Sequence, residues 1–65
     1  MADTVRFEDV EALKQTDKAL LCLIEGEETW VPQSMIDDDS EVYAEGHTGT
    51  LIVTAWWAKQ RGIEP

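Results

Sequence analysis

Apolar and polar positions in this chain follow two periods, and the change from one to the other divides it. Residues 18–36, KALLCLIEGEETWVPQSMI, are the organising stretch. The apolar run Ala19–Ile24 is too short for an ordinary helix and is bounded by charge, so it predicts a strand. A side-chain period of two puts Leu20, Cys22 and Ile24 on one face and Leu21 and Leu23 on the other. Both faces are apolar, which predicts a central strand covered on both sides by the N-terminal piece, the returning strand and a C-terminal helix. Glu25-Gly26-Glu27 predicts a tight turn, with Gly26 free to take positive φ. The β-formers Thr29, Trp30 and Val31 then return antiparallel. Pro32 has no amide hydrogen for a ladder and marks a strand end or a sheet edge. Residues 32–36 read as a short 3₁₀ turn in which Ser34 caps locally.

The flanks are less regular. Residues 1–4 read as a loose terminus. Val5 and Phe7 alternate with Arg6 and predict a short first strand. Residues 8–15 read as a polar, partly irregular connection, with Val10 and Leu13 at helical spacing as the competing signal, and Thr16-Asp17-Lys18 as a break. After the hairpin, residues 37–41 (DDDSE) predict an exposed acidic loop, Val42 and Tyr43 a short strand, and residues 45–49 a turn with two glycines. TLIVT at 50–54 is the clearest strand, because four of its five residues are β-branched.

The period then changes. Thr54 is placed to cap a helix over Ala55–Arg61. Lys59 and Arg61 fall in its last turn, and Gly62 stands at the C′ position with Ile63 able to fold back onto Ala58. Two turns of helix do not persist alone, so this one must dock. Trp56 and Trp57 lie about 100° apart around the helix, so one faces the core and the other does not. Core positions are expected for Trp30 and for one of this pair. The fold class these elements predict is mainly β: a small SH3-like barrel or bent antiparallel sheet closed by a short C-terminal helix.

Size and composition narrow the functional classes. The 65 residues make one small domain, 1–65. A chain this short buries only about 60% of its unfolded surface, which leaves self-association open as a source of stability. A single cysteine, Cys22, forms no internal disulfide and reads as a small core hydrophobe in a reducing, cytoplasmic setting. The acidic N-terminus does not read as a signal peptide, and no stretch reads as apolar enough to span a membrane.

Fourteen acidic residues face five basic ones, a formal net charge of −9. Such a surface disfavours direct nucleic-acid and membrane binding and favours basic partners. Good solubility alone would also account for it. The candidate partner-binding residues are Asp37, Asp38, Asp39 and Glu41 in the loop, with Glu25, Glu27 and Glu28 around the turn, all as acceptors for Arg or Lys. A calcium loop opening at Asp37 would need glycine at position 42 and glutamate at 48, where Val42 and Thr48 stand. Solvated acids with local caps from Asp37 or Ser40 are the simpler reading. His47 is the only histidine and lies in a surface turn away from Cys22. The chain has no phosphate loop, nucleophile elbow or metal-ligand spacing. A non-enzyme with no cofactor and no metal is expected. Trp57, Tyr43 and Arg61 are the candidates for stacking a small ligand.

Two likenesses follow from these motifs. EETWVPQSMI is similar to the fourth and fifth strand region of SH3 folds, with an aromatic-ended strand, a proline, a 3₁₀ turn and a new strand. The tyrosine-rich early strand of peptide-binding SH3 domains is absent, so no ligand groove carries over. The order GEETWVPQS, DDSEV and GTLIV, running into a tryptophan-bearing helix, resembles short uncharacterised proteins of bacteriophages and prophages. That likeness implies a small acidic accessory protein, cytoplasmic in the host cell. Such a protein would bind a basic surface on a host nucleic-acid-handling or defence protein, as an inhibitor or by imitating nucleic-acid charge. The alternatives are an oligomeric sequestrant of a small nucleotide or metabolite, a single-strand-binding small barrel, and a structural part of a larger assembly.

Overall fold

The computed structural model describes residues 3–63. The fold is mainly β: an open, four-stranded antiparallel sheet of order β3-β2-β1-β4 followed by one short helix. The strands are β1 (Thr4–Gln15), β2 (Ala19–Ile24), β3 (Glu27–Pro32) and β4 (Thr48–Thr54), and the helix α1 is Ala55–Arg61. Of the two architectures expected, the sheet is the open one and not a closed barrel. A single bridge between Ile36 and Val53 brings the chain after β3 round to the outer side of β4.

The central hairpin forms as its sequence dictates. β2 and β3 pair in continuous register from Ile24 opposite Glu27 to Ala19 opposite Pro32. The connection is two residues, Glu25 (φ 52°) and Gly26 (φ 84°). Positive φ at both positions is the turn whose twist matches the flanking strands. A 3₁₀ turn over Gln33–Met35 follows, but it has no side-chain cap, so the local cap expected from Ser34 is not made.

β1 differs most from expectation. The short strand and irregular connection are one twelve-residue strand carrying two bulges, between Phe7 and Val10 and between Ala12 and Lys14. Asp9, in the first bulge, takes φ 57°, a left-handed conformation that Asp tolerates better than most side chains. The extra residue lets Phe7 and Val10, three apart, point to the same face of a strand. Val10 and Leu13, the pair at helical spacing, lie on this strand, with Leu13 the half-buried extra residue of the second bulge. The N-terminal half of β1 pairs with β4 (Val5 with Val53, Phe7 with Leu51), and its C-terminal half pairs with β2 (Ala12 with Cys22, Gln15 with Leu20). Thr4 already pairs with Thr54, and the Asp3 carbonyl accepts from Ala55 N at 2.9 Å, so the chain is tied down from Asp3 onward. Met1 and Ala2, the rest of the expected loose terminus, lie outside the described residues.

One face of the sheet makes the core. Phe7, Val10, Ala12, Leu20, Cys22, Ile24, Val31, Leu51 and Val53 pack with Val42 from the loop and Trp57 and Ala58 from α1. Full burial of one such aliphatic or aromatic side chain is worth about 1.5–3 kcal/mol. That is what holds a helix too short to persist alone. Thr54 caps it, its Oγ1 accepting from Trp57 N at 3.3 Å. Gly62 (φ 71°) ends it with Gly62 N donating to Lys59 O and Ile63 N donating to Ala58 O, the paired bonds of a Schellman ending.

The other face is only partly covered. Leu21 is buried, Leu23 is half-buried and Trp30, across from Leu21, is 42% exposed. The expectation that Trp30 lies in the core is thus overturned. Leu20, Cys22 and Ile24 face the helix, so their partners Val31, Thr29 and Glu27 do too, and Trp30 goes outward with Leu21. The expected strand at Val42 and Tyr43 is likewise absent; Val42 is fully buried in irregular backbone and Tyr43 is exposed.

Candidate functional site

The acidic loop is fixed by its own side chains along the outer edge of β4. Asp37 N donates to Ile52 O at 2.8 Å, and Glu41 N and Val42 N both reach Thr50 O at 3.0 and 3.3 Å. The β4 amides that face outward are met by side chains. Ile52 N donates to Ser40 Oγ at 3.1 Å, and Thr50 N donates to Glu41 Oε1 at 3.0 Å. Two side-chain oxygens thus stand where the carbonyls of a fifth strand would be.

Ser40 is the pin of this arrangement. It is the buried polar residue among the described ones, at 4% exposure. Its Oγ donates to Val42 O at 2.8 Å and also accepts from Val42 N at 3.3 Å, so both its donor and its acceptor capacity are used. The expected local caps are present in this form: Asp37 Oδ2 accepts from Asp39 N at 3.0 Å, while Ser40 reaches across to β4.

With the backbone held, Asp38, Asp39 and Glu41 are exposed and Asp37 is half-buried. Asp37 and Asp38 border a surface depression of about 320 Å³ whose other walls are Gln33, Ile36 and the exposed Tyr43. Tyr43 is 59% exposed, and its ring meets His47 edge-on at 4.4 Å. Tyr43 N donates to His47 Nδ1 at 3.4 Å. On the other side of the loop, Gln15 and Glu45 exchange reciprocal bonds: Gln15 N donates to Glu45 Oε1 and Glu45 N to Gln15 Oε1, both at 3.2 Å.

The second acidic group is elsewhere. Glu25, Glu27 and Glu28 are all exposed at the β2–β3 turn. The loop follows β4 and the turn belongs to β3, the opposite edge strands of the sheet. The seven candidate carboxylates therefore form two separate patches.

The aromatic candidates divide differently from expectation. Trp57 is 4% exposed and packed in the core, so its face is not open to a ligand. Arg61 lies over it, with its guanidinium carbon 5.9 Å from the ring centroid. Its neighbour Trp56 is 64% exposed, beside an apolar hollow formed with Met35 and Ala55. Sequence reasoning missed Trp56 and Trp30 as the open indoles, and Glu41 as a backbone partner. The outward turn of Trp30 could have been read by counting pairs back from the two-residue turn.

Cys22 is fully buried, and burial pushes its thiol up to about 11. Among the described residues, no three His, Cys, Asp or Glu side chains gather within range of one metal ion. No helix among them is long and apolar enough to cross a membrane. Comparison with protein-family models, curated proteins and solved structures returns no match to this chain.

Proposed function

We propose that this chain is a non-enzymatic binding protein whose acidic surface engages a basic surface on another protein. The setting implied by its sequence likeness is a phage-type accessory or inhibitor acting on a host nucleic-acid-handling or defence protein. The observation that carries the reading is the loop at residues 37–42. Asp38 and Asp39 are exposed to water, while the loop is pinned to β4 through the Ser40 hydroxyl and the Glu41 carboxylate. Charges held in place need less ordering when they meet Arg or Lys, so more of the electrostatic gain survives as affinity.

The test is retention of partners from host lysate on the tagged chain, followed by titration of the retained partner at rising salt. Affinity should fall steeply between about 0.05 and 0.5 M salt, as the screening length drops from above 10 Å to a few ångströms. Replacing Asp37, Asp38 and Asp39 together with Asn should abolish most of that dependence. A retained partner whose affinity ignores both salt and these substitutions overturns the electrostatic reading.

The exposed Tyr43 beside its depression favours a second reading, the capture of a small flat ligand such as a nucleotide. Thermal melts with nucleotides, read alongside native mass spectrometry, separate the two. Only the second reading gives a ligand-dependent shift in melting temperature without a protein partner.

A further inference from the structure

The two edges of this sheet are treated differently. The outer edge of β4 is occupied between Ile36 and Val42 by backbone, by Ser40 Oγ and by Glu41 Oε1. The outer edge of β3 has no such cover among the described residues. Ile24 and Glu27 close a two-residue turn, so they are a hydrogen-bonded pair, and the alternation of an antiparallel ladder makes Cys22–Thr29 and Leu20–Val31 bonded pairs too. The amides and carbonyls of Glu28 and Trp30 therefore point away from β2. None of the backbone bonds made outside the strand ladders involves them.

Exposed edges are ordinarily blunted by charge, proline or a bulge. β3 has no bulge, and Pro32 stands only at its end. What remains is charge, and it has one sign: Glu27 and Glu28 on the strand, with Glu25 in the turn. A second copy of a chain with net charge −9 is repelled by that edge, whereas a basic strand is attracted to it. The side chains prepare a place for such a strand. On the outer face, Trp30 and Leu21 form an apolar step, with Leu23 beside Glu28. On the inner side, a depression of about 310 Å³ runs along the edge between β3 and Ile63. Arg61 is the one cation lining it.

We infer that the β3 edge accepts an extended basic segment of a partner protein as an added strand, bonded to the backbone of Glu28 and Trp30 and matched in charge by Glu25, Glu27 and Glu28. This rests on the acidic-surface reading above and specifies how one of its two patches engages a partner. Backbone bonds at an edge supply affinity, and alternate side chains supply specificity. The segment should carry Lys or Arg toward the turn and an apolar residue beside Trp30.

The test uses the full-length chain, isotope-labelled, and an eight-residue peptide of alternating Lys and Val. Two further peptides carry N-methyl groups on all Lys amides or on all Val amides. In an added strand only every second amide faces β3, so one methylated form is blocked and the other is not. The parent peptide is expected to bind more weakly as salt rises. It should slow hydrogen exchange at the Glu28 and Trp30 amides while leaving Thr29 and Val31 unchanged. One methylated form should lose at least about tenfold in affinity, as expected for the loss of two backbone bonds. Equal, salt-sensitive binding by all three peptides overturns the edge inference and leaves the acidic-surface reading standing. Absence of binding by any of them at low salt overturns both for this patch. Protection of Glu28 and Trp30 without peptide, growing with protein concentration and with salt, overturns the inference in favour of a second copy on the edge.

Discussion

The carboxylate of Glu41 occupies the space that a side chain at Gly49 would need: a Cβ built there lies 2.8 Å from Glu41 Oε1. Gly49 also has φ +133°, a conformation that side-chain-bearing residues rarely adopt. Both features serve the bond from Thr50 N to Glu41 Oε1 that seals the edge of β4.

Gly49→Ala is therefore expected to lower stability by about 1–3 kcal/mol through backbone strain, with about 1 kcal/mol more from the displaced Glu41 bond. Urea denaturation checks this. Because the clash is with the end of a flexible side chain, Glu41→Ala should cost less in the Gly49→Ala background than in the parent chain, while the strain remains. Equal costs in both backgrounds would show that the two residues do not share this space.

Ser40→Ala leaves the Ile52 amide without its acceptor, and the Val42 amide with Thr50 O alone. A buried donor left unpaired costs about 1–3 kcal/mol. Hydrogen exchange should accelerate at Ile52 and at the loop amides of Asp39 and Val42, and much less at Cys22 in the hairpin. Unchanged exchange at Ile52 would remove Ser40 from its role as the pin.

The adjacent tryptophans should respond very differently to truncation. Trp57→Ala empties a core site and is expected to cost about 3–5 kcal/mol. At about 4–8 °C per kcal/mol for a domain of this size, the variant should melt about 12–40 °C below the parent. Trp56→Ala should stay within about 0.5 kcal/mol of the parent. Thermal melts followed by circular dichroism distinguish them. In the parent, acrylamide should quench Trp56 and Trp30 fluorescence well before that of Trp57.

Cys22 sets a limit at high pH. Its folded-state value of about 11 stands above the ordinary 9.0 because burial disfavours the thiolate. The stability linked to this group is full below pH 9 and is lost as pH rises through 11. Stability should therefore fall between these values in the parent and fall less steeply in Cys22→Ala, which has no thiol to ionise. Thiol reagents should label Cys22 in the folded chain only at the rate of opening. Parallel pH profiles for the two proteins would contradict the assignment.

The hairpin, the β4 core and the capped helix were legible in the sequence because each is specified locally. The apolar run, the Glu25-Gly26 turn, the β-branched segment and the Thr54 and Gly62 caps need no distant partner to be recognised. β1 was not, because the residue that makes sense of Phe7 and Val10 is Asp9, whose left-handed conformation is enforced by pairing with a strand some forty residues away. The same holds for Ser40. Within DDDSE it looks like one more solvated polar residue, and only β4 gives its hydroxyl a buried partner. The candidate acids were found as residues, but their division into two patches is a property of sheet order, which no local pattern encodes. Trp57 was misjudged because adjacency on a helix says that one indole is inside without saying which.

The pairing of Thr4 with Thr54 spans nearly the whole described chain. Half of β1 thus has no neighbour until the last strand exists, whereas the hairpin over residues 19–32 closes on itself. Contacts between distant segments slow folding because loop closure precedes its reward. During synthesis the N-terminal half of β1 is the last segment of the sheet to find its mate, so full protease resistance should arise only once residues 48–54 have emerged.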